Sequence, residues 1–443
     1  MAHRLAAETF IEPCEDSFLV YAPLKGVAFT VNGSAAAFLR TLAQDGMTEI
    51  SPEYRELFTF VEELGLVGGN EPKRPSVESE AFEPTSAYLL LTADCNLRCQ
   101  YCFSKGGDSK TNLSVTVAKA AIDIIVENAR RRFIQPKIRY HGGGEPTLRW
   151  DVLTETAMYL KAEAARHSLT PHLGINTNGV LPEYKLKWMA ENLDAIYISF
   201  DGPQDSHDLQ RPTFGGGGSY AAVWKTMQWL SEAGKQFAVR STITKNNFGH
   251  MAKIVDMLSP FGVSGIELEP LTVCGRAYTS QSEAPSPTEY IQGYKEAYAR
   301  AKHHGMDILY SGVRIDAIGS IFCGAAGRNF AVTPSGHSTF CHRVSDVSEP
   351  GAEHYIYGKY SEETGTFIFD REKIGAMKGM SCEKSTACQD CFAKWNCGGG
   401  CYAQNHEETG KLMLDHRTDR CTMTRELTKF RIVERIQLAN PIK

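Results

Sequence analysis

Between residue 85 and about 310, short apolar runs alternate with longer amphipathic stretches. The runs "AYLLLTA", "KIRYHG", "HLGINTN", "AIYISFD", "FAVRSTIT" and "GIELEPL" predict strands. Stretches between them, such as "VTVAKAAIDIIVENARRRF" and "VLTETAMYLKAEAARHS", repeat apolar residues at helical spacing. Strand–helix units in series predict a parallel α/β sheet or barrel. Six units favour an open, partial (β/α)6 TIM-like barrel over a closed eight-fold one. Chemistry in such folds sits at the C-terminal ends of the strands.

Residues 1–70 read differently. "FLVYAP" and "VAFTVN" predict two short strands joined around "LKG". "SAAAFLRTLAQDG" predicts a helix capped by Ser34, and "SPEYRELFTFVEELG" a second helix with Ser51 as cap and Pro52 at its first position. This is a small α+β module, structural or peptide-docking. Residues 71–84 are polar, charged and Pro-bearing, the composition of a linker. Residues 311–430 lose the alternation and gain cysteine and glycine. The segment after 430 predicts the end of a helix and a C-terminal tail over 431–443.

Charge and composition narrow the function. The net charge of −5 argues against a nucleic-acid partner. Residues 1–83 hold 6 Lys and Arg against 14 Asp and Glu, a local net of −8. No apolar run is long enough to span a membrane, and the first residues lack a secretory apolar core, so a cytoplasmic location is expected. Thirteen cysteines are many for such a chain. Three fall within 95–102 and eight between 323 and 421, with Cys14 and Cys274 apart. Clustered cysteines in a long cytoplasmic chain predict metal ligands rather than disulfides.

The stretch "DCNLRCQYCF" follows the first predicted barrel strand. Its three cysteines are one too few for a closed tetrahedral site or for an iron–sulfur cluster held by protein alone. Cys95-x3-Cys99-x2-Cys102, with Tyr101 before the last cysteine, resembles the signature of the radical SAM superfamily. That resemblance implies a [4Fe–4S] cluster on Cys95, Cys99 and Cys102, whose open iron is chelated by S-adenosylmethionine. The alternatives are a structural zinc site or free thiols. Further residues fit the superfamily at successive strand ends. Gly143, Gly144 and Glu145 match its "GGE" element. Asn176 and Asn178 belong to "NTNG", and Ser199 and Asp201 to "SFDG". With Tyr101 and Arg240, these are the expected cosubstrate contacts, Arg240 as partner of the carboxylate.

The later cysteines follow the order C-x12-G-x4-C, then C-x2-C-x5-C-x3-C, then C. This resembles the SPASM domain of peptide- and protein-modifying enzymes, which holds two auxiliary [4Fe–4S] clusters. The resemblance assigns Cys323, Cys341 and Cys401 to the first, with Cys382 its possible fourth ligand. Cys388, Cys391, Cys397 and Cys421 fall to the second. A pair of zinc sites is the alternative. His342 stands where sulfatase maturases of this group have Asp, which weakens that reading. His342 and Cys274 are weak catalytic candidates. The N-terminal module is similar to a RiPP recognition element, a winged-helix-like domain that binds leader peptides on a strand edge.

Together these imply an enzyme with three [4Fe–4S] clusters and S-adenosylmethionine, served by a flavodoxin- or ferredoxin-type reductant. It would take a hydrogen atom from a ribosomal precursor peptide and install an oxidative intramolecular crosslink, thioether or carbon–carbon. Formylglycine-generating sulfatase maturation, peptide epimerisation and non-catalytic electron carriage are the other readings.

Overall fold

The computed structural model describes residues 3–75 and 81–439, so positions 76–80 of the expected linker lie outside the described residues. The N-terminal sheet has three antiparallel strands, β1 (Phe10–Cys14), β2 (Ser17–Ala22) and β3 (Val27–Val31), in that order. The sequence pattern gave only the last two. Pro13 hid β1, and an edge strand is where a sheet tolerates proline. The helix that follows, Gly33–Gln44, is capped by Asn32, whose side chain accepts from Ala35 N at 2.9 Å, rather than by Ser34. Ser51 makes no side-chain cap, and Pro52–Tyr54 form a 3-10 turn before the helix Arg55–Glu63.

Strand alternation divides the two faces of this sheet between two partners. Val20 and Ala22 turn toward Phe38, Leu39, Leu42, Phe58 and Val61 of the module's own helices. Leu19 and Tyr21 turn the other way, onto Phe392, Ala393 and Ile432 of the C-terminal region. The module is therefore covered on both faces.

The large sheet begins with β4 (Ser86–Leu89), β5 (Lys137–Tyr140), β6 (His172–Thr177) and β7 (Ala195–Ser199). It continues through β8 (Ala238–Ile243), β9 (Ile266–Pro270) and the short β10 (Ile308–Leu309). These seven strands are parallel neighbours in chain order. β10 does not pair with β4, so the barrel stays open. On the outer side of β4 the sheet continues through β11 (Ala331–Val332), parallel to β4. An antiparallel meander follows: β12 (His337–Thr339), β13 (Ile356–Ser361) and β14 (Thr366–Phe369). One apolar core runs from Tyr140 and Phe200 in the barrel to Phe330, Phe340 and Tyr357 beyond it.

Two expectations need correction. Residues 431–439 are not a tail: the helix Asp419–Ala439 is continuous through them, and Ile432 and Ile436 pack on the N-terminal sheet. Arg240 lies in the middle of β8, which runs on to Ile243, rather than at its end. Among the described residues no helix is long and apolar enough to cross a membrane.

Candidate functional site

The chain leaves β4 into the loop that carries Cys95, Cys99 and Cys102, all partly buried at the C-terminal edge of the barrel. Glycine makes this placement possible. Gly144 N donates to Thr92 O at 2.6 Å and Glu145 N to Asp94 O at 2.9 Å, so the two backbones run side by side. A Cβ on Gly144 would strike the Asp94 carbonyl, and one on Gly143 would lie 2.5 Å from Thr92 O. These glycines serve close packing on the cysteine loop.

Glu145 and Asp201, both expected at the cosubstrate, each tie several protein groups together. Glu145, 2% exposed, accepts from Thr147 N and Oγ1, Thr177 Oγ1 and Asn178 N at 2.7–3.1 Å, tying β5 to β6. Asp201 is fully buried and accepts from the Tyr101 hydroxyl, Gln210 Nε2, Arg211 Nε and Thr242 N. It fixes Tyr101 through its hydroxyl. Asn178 Nδ2 lies 3.7 Å from Cys95 Sγ, which places it beside the cysteine loop.

Asn176 on β6 is different: its Oδ1 is buried without a protein partner among the described residues. Such an atom costs free energy unless a ligand or water meets it. Ser199 ends β7 and Arg240 crosses from β8 to Glu267 at 3.1 Å, the side chain 44% exposed. His342 follows Cys341. Its ring lies tilted against that of His141, centroids 4.3 Å apart, and its Nδ1 is also buried without a partner among the described residues. Burial, then Arg240, Arg343 and Arg139, push His342 down to about 3, so it is neutral. Cys274, past β9, is buried and accepts from Arg343 Nη2 at 2.5 Å.

The thiols burden one another. Burial, then Cys99, Glu145 and Cys102, push Cys95 up to about 12. Burial likewise raises Cys99 to about 11 against the pull of Arg211. Burial, then Cys401, raise Cys323 to about 12 and Cys341 to about 11. Buried Cys397 is raised further by Cys388, Cys391 and Cys421. Thiols placed this way need a cationic centre to stand as thiolates. The sets that sense one another are 95/99/102, 323/341/401 and 388/391/397/421. Cys388, Cys391, Cys397 and Cys421 line one cavity, with Cys401 at its wall. Cys382 sits between sets. Burial, then Cys388, raise it to about 12, while the buried Tyr402 hydroxyl senses Cys323, Cys382, Cys401 and Cys397.

Thiolates sharing one zinc lie about 2.3 Å from it. Among the described residues no three His, Cys, Asp or Glu side chains converge closely enough for a single ion. The donors of each set are all thiols, a soft set that suits an iron–sulfur cluster.

Sequence reasoning missed the guanidiniums around these sets. Arg211 Nη1 lies 3.9 Å from Cys99 Sγ, and Arg276 donates to Cys99 O and Gly106 O at 3.0 Å. Arg314 holds Cys397 O and Asn396 O, and Arg425 Nη1 lies 3.5 Å from Cys391 Sγ. No motif marks them, because each reaches its cysteine across the fold.

The sequence model of the radical SAM superfamily matches residues 89–258. A cysteine-type anaerobic sulfatase-maturating enzyme of Clostridium perfringens is 23% identical over 384 residues, covering 81% of this chain and 100% of its own. The structure of anSMEcpe with bound AdoMet has a TM-score of 0.65 at 18% identity, covering 81% of this chain and 96% of that one. Streptococcus suis SuiB bound to precursor peptide SuiA has a TM-score of 0.56 at 12% identity, covering 95% and 99%. With its three-cysteine loop at the mouth of an open parallel barrel, this chain carries a radical SAM domain over residues 89–258, followed by a cysteine-rich C-terminal region consistent with a SPASM domain.

Proposed function

We propose that this enzyme matures a ribosomally made precursor peptide by installing an oxidative intramolecular crosslink, thioether or carbon–carbon. The observation that carries the reading is the N-terminal module docked on the cysteine-rich region. The fold shared with SuiB, solved with its precursor peptide, covers 95% of the chain, whereas the fold shared with anSMEcpe covers 81%. A three-stranded sheet with two edges is suited to adding a peptide strand.

Cys95, Cys99 and Cys102 would hold the first [4Fe–4S] cluster. Cys323, Cys341 and Cys401, with Cys382, would hold the second, and Cys388, Cys391, Cys397 and Cys421 the third. When bound, the first cluster and S-adenosylmethionine supply a radical that takes a hydrogen atom from the substrate. Asn176, Ser199 and Arg240 offer polar groups to the cosubstrate, and Asp201 and Glu145 hold the loop that faces it. A one-electron carrier of flavodoxin or ferredoxin type in the cytoplasm belongs to the same proposal.

The test is mass spectrometry of a candidate precursor peptide co-expressed anaerobically with the enzyme. Loss of two hydrogens without added oxygen is the expected result. Deuterium uptake from deuterated water at unchanged mass in ordinary water would replace crosslinking with epimerisation. No 5′-deoxyadenosine under strong reductant would leave an electron carrier.

A second reading is a formylglycine-generating sulfatase maturase, favoured by the 23% identity across the whole length of the Clostridium perfringens enzyme. Oxidation of a sulfatase-derived Cys or Ser peptide, with precursor peptides untouched, would select it.

A further inference from the structure

The cavity of the third cysteine set is lined by residues 310–425, and one of its lining residues, Arg425, is held from outside by the N-terminal sheet. On the helix Asp419–Ala439, Cys421 and Arg425 are four residues apart and so share a face. Arg425 Nη1 lies 3.5 Å from Cys391 Sγ, and Nη2 of the same guanidinium lies 3.2 Å from Glu12 Oε2 on β1. The guanidinium also rests over the Phe392 ring at 4.9 Å. Glu12 pairs with Leu19 in the sheet register and so shares its face, the one turned to Phe392 and Ile432. A slip of one residue in β1 would carry Glu12 to the other face.

A second contact fixes the same seam. Glu8, 7% exposed, takes Lys394 Nζ at 2.8 Å and Trp395 Nε1 at 3.0 Å, both between Cys391 and Cys397. The N-terminal module is thus bonded to the very loop that carries three of the four thiols. Donors to a cluster's sulfurs set its reduction potential, because they stabilise the electron-rich state.

We propose that Glu12 is a positioning residue for the cluster of Cys388, Cys391, Cys397 and Cys421. By holding Arg425 against the Cys391 sulfur, the N-terminal sheet sets that cluster's reduction potential. The inference rests on reading those four cysteines as ligands of one cluster, and it gives the peptide-docking module a redox role that its own fold does not imply.

The test uses full-length protein reconstituted with iron and sulfide. Iron analysis of Cys421→Ser comes first: about four fewer irons per chain supports the ligand reading, and an unchanged count overturns that reading. EPR-monitored redox titration then compares wild type, Glu12→Gln, Arg425→Gln and the double variant. Arg425→Gln lowers the midpoint potential of one cluster. Glu12→Gln shifts the same cluster and leaves the others in place. The double variant matches Arg425→Gln alone, because Glu12 acts through Arg425. An equal Glu12→Gln shift with and without Arg425, or no shift at all, overturns the positioning role.

Discussion

Replacing Asp201 by Asn tests the internal clamp beneath the cysteine loop. The carboxylate is fully buried and receives four donors: the Tyr101 hydroxyl, Gln210 Nε2 at 3.0 Å, Arg211 Nε at 2.9 Å and Thr242 N at 3.0 Å. The Arg211 side chain is only 8% exposed. An amide at position 201 keeps the shape but leaves that guanidinium buried without its counter-charge, 3.9 Å from Cys99 Sγ. Breaking a buried pair from one side costs about 3–5 kcal/mol. For a unit the size of the barrel, each kcal/mol moves the thermal midpoint by about 2–4 °C, so the barrel transition falls by on the order of 10 °C. Differential scanning calorimetry of the full-length protein reads this, and iron retention reports the displaced loop. Adding Arg211→Met removes the stranded charge and recovers part of the loss. A single variant within about 2 °C of wild type, or a double variant that loses the sum of both singles, would refute the argument.

Other substitutions probe the neighbouring contacts. Gly144→Ala drives a methyl into the Asp94 carbonyl, so iron on the first cysteine loop and 5′-deoxyadenosine formation both fall to background. Tyr21→Phe removes the hydroxyl that meets Asn396 Oδ1 at 2.8 Å inside the docking seam. It costs about 1–3 kcal/mol, read as faster hydrogen exchange in β1–β3. Glu269, buried and raised from 4.5 to about 7 by burial and then Glu267, binds its proton more tightly folded than unfolded. Its contribution is therefore present below about pH 4.5 and lost as pH rises to about 7. Thermal midpoints of wild type should fall across that window relative to Glu269→Gln; parallel curves would exclude the effect.

What could be read directly were the local signals. The spacing of Cys95, Cys99 and Cys102 is a covalent fact, and a loop that short brings its thiols near one another in any fold that buries it. The six strand runs were legible because a parallel strand covered on both faces is a short apolar run bounded by turns. β1 was not, because Pro13 interrupts its pattern. The last helix was read too short because Ile432 and Ile436 gain their meaning only from a sheet some four hundred residues earlier.

Legible along the chain were the resemblance to radical SAM proteins, the order of strand and helix, and which cysteines could be ligands. These depend on period and spacing along one stretch of chain. The folded chain added the protein partners of Glu145 and Asp201, which tie strands and loops together beneath the cysteine loop. Only it brought Arg211 to Cys99 and Arg425 to Cys391, and laid the N-terminal sheet on the third cysteine set. Each of those contacts joins residues from separate elements, and its geometry follows from sheet register and helix packing. No local pattern carries that information.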